Sequence, residues 1–454
     1  MANPIRLREP ITPPAPGQGP QPSVDAVEPP DTAAQRLAAA LRETRERTLT
    51  LVRHLPQQAL TSVYSKLLSP LCWDLAHIAA FEDLWFSRAA AVAQLRPELM
   101  ATYDADETPR AQRGELRLLG PDEAFTFLEQ VRAKTLALLH AGRFDASVAE
   151  LVIRHEQQHN ETMLQALQIA HLPSPFAHAQ TAPGGDPSGR SVSGTRLVLI
   201  DGGEAWIGAG PPPAFAYDNE RPRHRVALQP FLIGSAPVSN ADWQGFIADG
   251  GYRRREWWSA QGWRWLERER AQRPLHWVSD SEGWELGELR TLRPSAPVVH
   301  VSFWEAEAFA ASQHARLPTE FEWELAATWD PAGERQRPLP WGDQPVSRRF
   351  ANIDQVGGAP APAGSFPDGD SASGLAAMIG DVWEWTSTPF HGYPGFIAHP
   401  YPEYSEQFFG DTYRVLRGGS WATRARVASA SFRNWDLPQR RQIFSGLRIA
   451  KDPA

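Results

Sequence analysis

The stretch from Pro173 to Gly194 constrains this chain more than any other feature. It runs through Pro183-Gly184-Gly185 and Asp186-Pro187-Ser188-Gly189, which neither helix nor strand tolerates. Residues 173–194 are therefore read as a linker, and the two sides of it differ in kind. Before it, from Asp31, four helical patterns follow one another with legible punctuation. Pro121 opens the third and Gly142 closes it, while Asp145 caps the fourth and Pro173 stops it. After it come 16 of the chain's 18 tryptophans, set in short strand-like runs between turn signals with a clear helix near Trp304–Ser312. A chain of 454 residues is long for one core. The expected organisation is a disordered leader at 1–30, rich in proline and glycine, a helical bundle at 31–172, the linker, and a loop-rich α+β domain at 195–454 whose tryptophans mostly pack its core.

Composition narrows what such a chain can do. The net charge is −8 with both signs interspersed, and no lysine- or arginine-rich run offers a footprint for nucleic acid. Apolar stretches are broken by charges well short of membrane-spanning length, and the N-terminus lacks the apolar run of a signal peptide, so a soluble cytoplasmic protein is expected. Cys72 is the single cysteine. That excludes an internal disulfide framework and any cysteine-cluster metal site, leaving histidine and carboxylate as metal ligands.

Such ligands occur in His155-Glu156-Gln157-Gln158-His159. Four residues apart on a helix, the two imidazoles project within about 40° of each other. They continue an inward seam of Val148, Val152, His155, His159, Thr162, Ala166 and Ile169. Two successive core positions given to imidazole leave ring nitrogens that need partners, and one metal ion satisfies both. A third ligand is sought on another helix. His77 is the best candidate, because Trp73, His77 and Phe81 repeat at four-residue spacing on one apolar face. His54, His140 and His171 fall near helix ends, where solvated or capping roles are commoner. Three imidazoles with open positions suit iron or zinc, and spacing alone does not choose.

The pattern His-Glu-x-x-His is also that of zinc metallopeptidases, whose glutamate is a general base. The extended peptidase motif fails here at Thr162 and Gln165. Glu161 lies about 200° around the helix from His159 and reads as a residue behind the ligands or on the surface. Gln158 flanks the ligand face and offers a donor and an acceptor; a solvated helix glutamine is the equal alternative.

Beyond the leader the chain resembles the sulfoxide synthases of ergothioneine biosynthesis, the hercynine oxygenases. These are nonheme iron enzymes that join a DinB-like four-helix bundle to a formylglycine-generating-enzyme-like, C-type lectin-like domain. In the first half the resemblance rests on residues 69–77 and 155–167. In the second it rests on Tyr217-Asp218-Asn219-Glu220-Arg221-Pro222, Arg316-Leu317-Pro318-Thr319-Glu320, Gly380-Asp381-Val382-Trp383-Glu384-Trp385-Thr386, Arg417-Gly418-Gly419-Ser420-Trp421 and Phe432-Arg433-Asn434-Trp435-Asp436.

The resemblance implies that His77, His155 and His159 hold Fe(II), leaving positions for substrate imidazole, a thiolate and dioxygen. It implies hercynine as substrate, with a new carbon–sulfur bond and oxidation to the sulfoxide. Asn434 and Trp435 then lie beside the trimethylammonium and carboxylate, Gln158 near the imidazole, and Tyr401 delivers a proton, with Tyr404 three residues on. Arg110, Arg113 and Asp436 match the residues that bind gamma-glutamylcysteine. Departures at Asp104–Pro109 and Ala79-Ala80-Phe81 keep cysteine and, in a selenoneine-synthase branch, a selenosugar open as donors. The parent formylglycine-generating activity uses cysteines of the second domain, and 195–454 has none. A lectin-like binding module without activity is the remaining class, and it leaves the histidines unexplained.

Overall fold

The computed structural model describes residues 30–176, 195–210, 215–399 and 402–453; most of the leader and of the linker fall outside these. The first domain is a four-helix bundle. Helix α1 (Pro30–Val52) is followed by the short α2 (Gln57–Thr61), then α3 (Leu71–Ala90), the short α4 (Met100–Tyr103), α5 (Pro121–His140) and α6 (Ala146–Ile169). The expected punctuation is visible in the backbone. Asp145 accepts from the Ser147 and Val148 amides at 2.7 and 3.1 Å, and Gly142 takes φ 67° just past α5, a conformation that costs glycine little. Every residue from Leu71 to Ala80 in α3 is buried, so this helix runs through the core and carries His77 with it.

The bundle interior contains an ion cluster as well as apolar side chains. Arg45 and Arg132 each pair with both Glu82 and Glu156 at 2.8 Å, and all four side chains are buried. Such a cluster is tolerated because each charge meets the opposite sign twice and is hydrogen-bonded.

In the second domain β1 (Leu197–Ile200), β2 (Gly203–Ile207), β3 (His224–Leu228) and β4 (Phe231–Gly234) precede α7 (Asn240–Ala248) and α8 (Ala260–Glu269). The hairpin β5 (Glu282–Glu285) and β6 (Glu288–Thr291), helices α9 (Phe303–Ser312) and α10 (Glu320–Thr328), and the two-residue strands β7 (Trp329–Asp330) and β8 (Arg335–Gln336) follow. The chain closes with β9 (Trp383–Phe390), β10 (Gly410–Arg417), β11 (Asn434–Asp436), β12 (Ser445–Leu447) and β13 (Ala450–Lys451). Strands β1, β4 and β13 form one sheet; a second has the order β11-β10-β9-β12. This places Asn434-Trp435-Asp436 on an edge strand, opposite Leu416, Val415 and Arg414 of β10. Trp243, Trp323 and Trp385 are fully buried, whereas Trp206 is exposed.

The domains share cores. Leu286, Trp421, Ala422 and Phe444 join the bundle's apolar cluster, and Leu151 of α6 joins that of the second domain. Gln168 at the end of α6 donates to the Trp284 carbonyl and accepts from the Leu286 amide, at 2.6 and 2.7 Å, fixing the β5–β6 hairpin. No helix among the described residues is long and apolar enough to cross a membrane.

A histidine triad in the cavity between the domains

Helices α3 and α6 bring His77, His155 and His159 together, with candidate ligand atoms all within 4.8 Å of one another. The rings are held by their surroundings. His77 is stacked on Trp73 with centroids 4.7 Å apart, and its Nδ1 faces the Tyr103 carbonyl at 2.6 Å. That contact places the proton on Nδ1 and leaves Nε2 as a lone pair aimed at the other two rings. His155 is stacked on Phe81 at 3.7 Å, and its Nε2 lies 3.0 Å from that of His77. Burial first, and the neighbouring imidazoles second, push His77 and His155 well below the ordinary histidine range. That shift favours the neutral ring, the form in which an imidazole can bind a metal. Three imidazoles from two helices, their candidate ligand atoms gathered within 4.8 Å of one another, fit a first-row divalent metal.

Glu156 takes no part in this centre. Its carboxylate turns into the bundle, where Arg45, Arg132 and the Thr48 hydroxyl, the last at 2.7 Å, hold it. Burial opposes its ionisation, yet the two arginines overcome that and hold the group at about 2. Glu156 is therefore not placed to serve as the general base of a metallopeptidase. Glu161 departs from the surface reading. It is buried against the second domain, accepting from Trp383 Nε1, Ser420 Oγ and Thr423 Oγ1, each at 2.7 Å. A buried carboxylate that accepts three hydrogen bonds from the second domain ties α6 to it. Glu161→Ala is expected to lower the thermal midpoint and to raise protease cleavage between the domains, because three donors lose their acceptor at once.

The triad opens into a cavity of about 900 Å³ between bundle and second domain. Gln158, Tyr404, Asn434, Trp435, Asp436, Arg110 and Arg113 all line it. Trp435 is stacked on Phe390 at 4.3 Å and meets the edge of Tyr404 at 6.0 Å. The two arginines are not equivalent. Arg110 is exposed in the cavity wall. Arg113 is buried over the Trp73 ring at 3.6 Å, donating to the Thr108 carbonyl and Ser69 Oγ at 2.8 Å and to the Ala105 carbonyl at 3.2 Å. Burial, then the charge of Arg110, lowers Arg113 to about 10. Asp436 lies 3.4 Å from Arg440, which also faces the cavity. Tyr401 lies outside the described residues. His54 contacts the Pro173 carbonyl at 3.1 Å and His171 stacks on Trp284 at 4.5 Å, both apart from the triad.

Tyr217 is the residue that sequence reasoning passed over. It stood within a matched motif without a role. In the structure its hydroxyl accepts from Gln158 Nε2 at 2.6 Å, and its ring is stacked on Tyr404 at 4.7 Å. The signal available was only its place in Tyr217-Asp218-Asn219-Glu220, which could not reveal a partner 59 residues earlier in the chain.

Residues 40–163 match the DinB superfamily, and residues 184–453 match the sulfatase-modifying factor enzyme 1-like domain. Fold and site together define a two-domain class, a DinB-type bundle bearing a histidine triad against a sulfatase-modifying-factor domain. The chain is 45% identical over 427 residues to the hercynine oxygenase of Mycolicibacterium thermoresistibile, covering 92% of this chain and 94% of that one. It is 44% identical over 429 residues to that of Mycobacterium tuberculosis, covering 93% and 100%. A formylglycine-generating enzyme of Thermomonospora curvata is 33% identical over 57% of this chain and 93% of its own length. The chain belongs to the hercynine oxygenase family and is an oxygenase.

Proposed function

We propose that this enzyme joins hercynine to a thiol in the cavity between its domains, with gamma-glutamylcysteine as donor, and that His77, His155 and His159 hold Fe(II). The gathering of three imidazoles at a cavity walled by Trp435, Asn434, Gln158 and Tyr404 carries this reading. Ferrous iron, when bound, supplies the redox chemistry and open positions that gather both substrates and dioxygen at one centre. The overall change balances: the imidazole C–H and the thiol S–H lose their hydrogens to one oxygen atom as water. The other oxygen atom enters the new C–S product as the sulfoxide, a four-electron reduction of O2.

The protein's own residues bind and orient. A quaternary ammonium donates no N–H hydrogen bond, so an aromatic ring is its natural partner, and Trp435 presents one. Trp435→Ala is expected to raise KM for hercynine by roughly 2- to 30-fold, corresponding to about 0.5–2 kcal/mol for a cation–π contact, in steady-state turnover. Gln158 commits its Nε2 to Tyr217, which leaves its carbonyl oxygen to accept from the substrate imidazole N–H. Tyr404, and Tyr401 three residues before it, supply phenols for proton delivery. Tyr401→Phe is expected to keep iron while shifting product toward simple thiol oxidation, read by mass spectrometry of the product mixture.

Arg110, with Arg440 and Asp436 nearby, offers charges to the carboxylates and ammonium of a gamma-glutamyl dipeptide. One observation favours a second donor, a selenosugar: Arg113 spends its donors on loop carbonyls and Ser69, and Asp104, Asp106 and Glu107 stand in the same wall. Aerobic turnover of iron-loaded protein with hercynine, offered gamma-glutamylcysteine, cysteine and a selenosugar in competition, separates these. A hercynyl sulfoxide of the dipeptide supports the sulfur reading, and a carbon–selenium product overturns it.

A further inference from the structure

Asp74 has no account in the chemistry above. It sits on α3, three residues before His77, and is buried at 1% exposure. Neither of its carboxylate oxygens has a hydrogen-bond partner among the described residues. A buried, unpartnered carboxylate is costly, and native proteins keep few of them. The nearest basic atom is Nδ1 of His159 on α6, at 3.4 Å from Asp74 Oδ1, and that nitrogen is itself buried without a partner. Two orphans of complementary chemistry thus face each other across the two helices that carry the triad, just beyond good hydrogen-bond geometry. His77 already has the corresponding contact, from its Nδ1 to the Tyr103 carbonyl; among the described residues Asp74 is the acceptor that faces His159 Nδ1.

We infer that Asp74 is a positioning residue of the metal centre: it accepts a hydrogen bond from His159 Nδ1–H, fixing the tautomer and the ring angle that aim Nε2 at the metal. The inference rests on the reading of the three histidines as Fe(II) ligands. The physical reasons are two. A metal-bound histidine is held in orientation by an acceptor on its other nitrogen, and a carboxylate acceptor makes the ring a better donor to the metal. A carboxylate behind a site of three imidazole ligands also offsets part of the charge of a buried dication.

The test uses the full-length protein stripped of metal and titrated with Fe(II) under anaerobic conditions, or with Co(II) for its visible spectrum. Asp74→Asn, which keeps shape but removes the charge, and Asp74→Ala are both expected to bind one metal per chain with Kd raised roughly 10- to 100-fold and with a changed Co(II) spectrum. Asp74→Asn is also expected to leave the thermal midpoint of the metal-free protein unchanged or higher while shrinking the rise that Fe(II) produces. A merely structural aspartate would lower both midpoints alike. Wild-type Kd and Co(II) spectrum in both variants, alongside loss of metal in His159→Ala, would overturn the role of Asp74 and leave the ligand reading standing. Failure of the unmodified protein to bind a metal through the triad would overturn both.

Discussion

Substituting alanine for His159 is expected to abolish stoichiometric iron binding, and catalysis with it, while leaving the fold intact. His159 lies on α6 beside the cavity and is not part of the bundle's apolar clusters, so its truncation opens space without breaking a core contact. Two neutral imidazoles without the third retain neither the facial arrangement nor the affinity of three. Anaerobic Fe(II) titration followed by elemental analysis reads the result, and circular dichroism checks the fold. Iron bound at one equivalent with unchanged Kd would remove His159 from the ligand set.

The second large effect belongs to Glu156, the residue that makes the local sequence look like a peptidase. Glu156→Ala is expected to destabilise the protein by about 3–5 kcal/mol, because it leaves Arg45 and Arg132 buried with only Glu82 to balance them. Urea or thermal unfolding measures this. If Glu156 instead served catalysis from the surface of the site, stability would hardly change and turnover alone would fall. The same group gives a pH dependence. Its carboxylate is depressed from 4.5 to about 2 in the folded protein, so the folded state favours the ionised form. The stability this contributes is fully present above the unfolded value and is lost as pH falls from about 4.5 toward 2. Glu156→Gln is expected to flatten that acid limb of the stability profile.

Much of the candidate site's placement was legible along the chain because helix geometry is local. Spacing at four residues puts His155 and His159 on one face whatever else the chain does, and the apolar neighbours of His77 send it inward. Asp145, Pro121 and Gly142 mark helix ends through hydrogen bonds and φ preferences spanning only a few residues. The glycine- and proline-rich break, the tryptophan-rich second half and the lone Cys72 bounded the architecture and the ligand types in the same local way.

Packing between distant segments decided the rest. The fate of Glu156 depends on Arg45 and Arg132 arriving from α1 and α5, since a buried carboxylate ionises only where charges meet it. Glu161 became a clamp between domains only because Trp383, Ser420 and Thr423 fold onto that side of α6. Arg110 and Arg113, three residues apart, diverged because loop carbonyls hold the guanidinium of Arg113 while that of Arg110 stands exposed, though both line the cavity. Tyr217 reached Gln158 and Asp74 came to face His159 for the same reason. The sequence by itself determined which residues lie on which face of each helix, because backbone geometry sets that over a few residues. Which faces meet, and hence which polar groups are satisfied and which are left waiting, was decided by the tertiary structure, because desolvation and hydrogen bonding are settled between segments far apart in the chain.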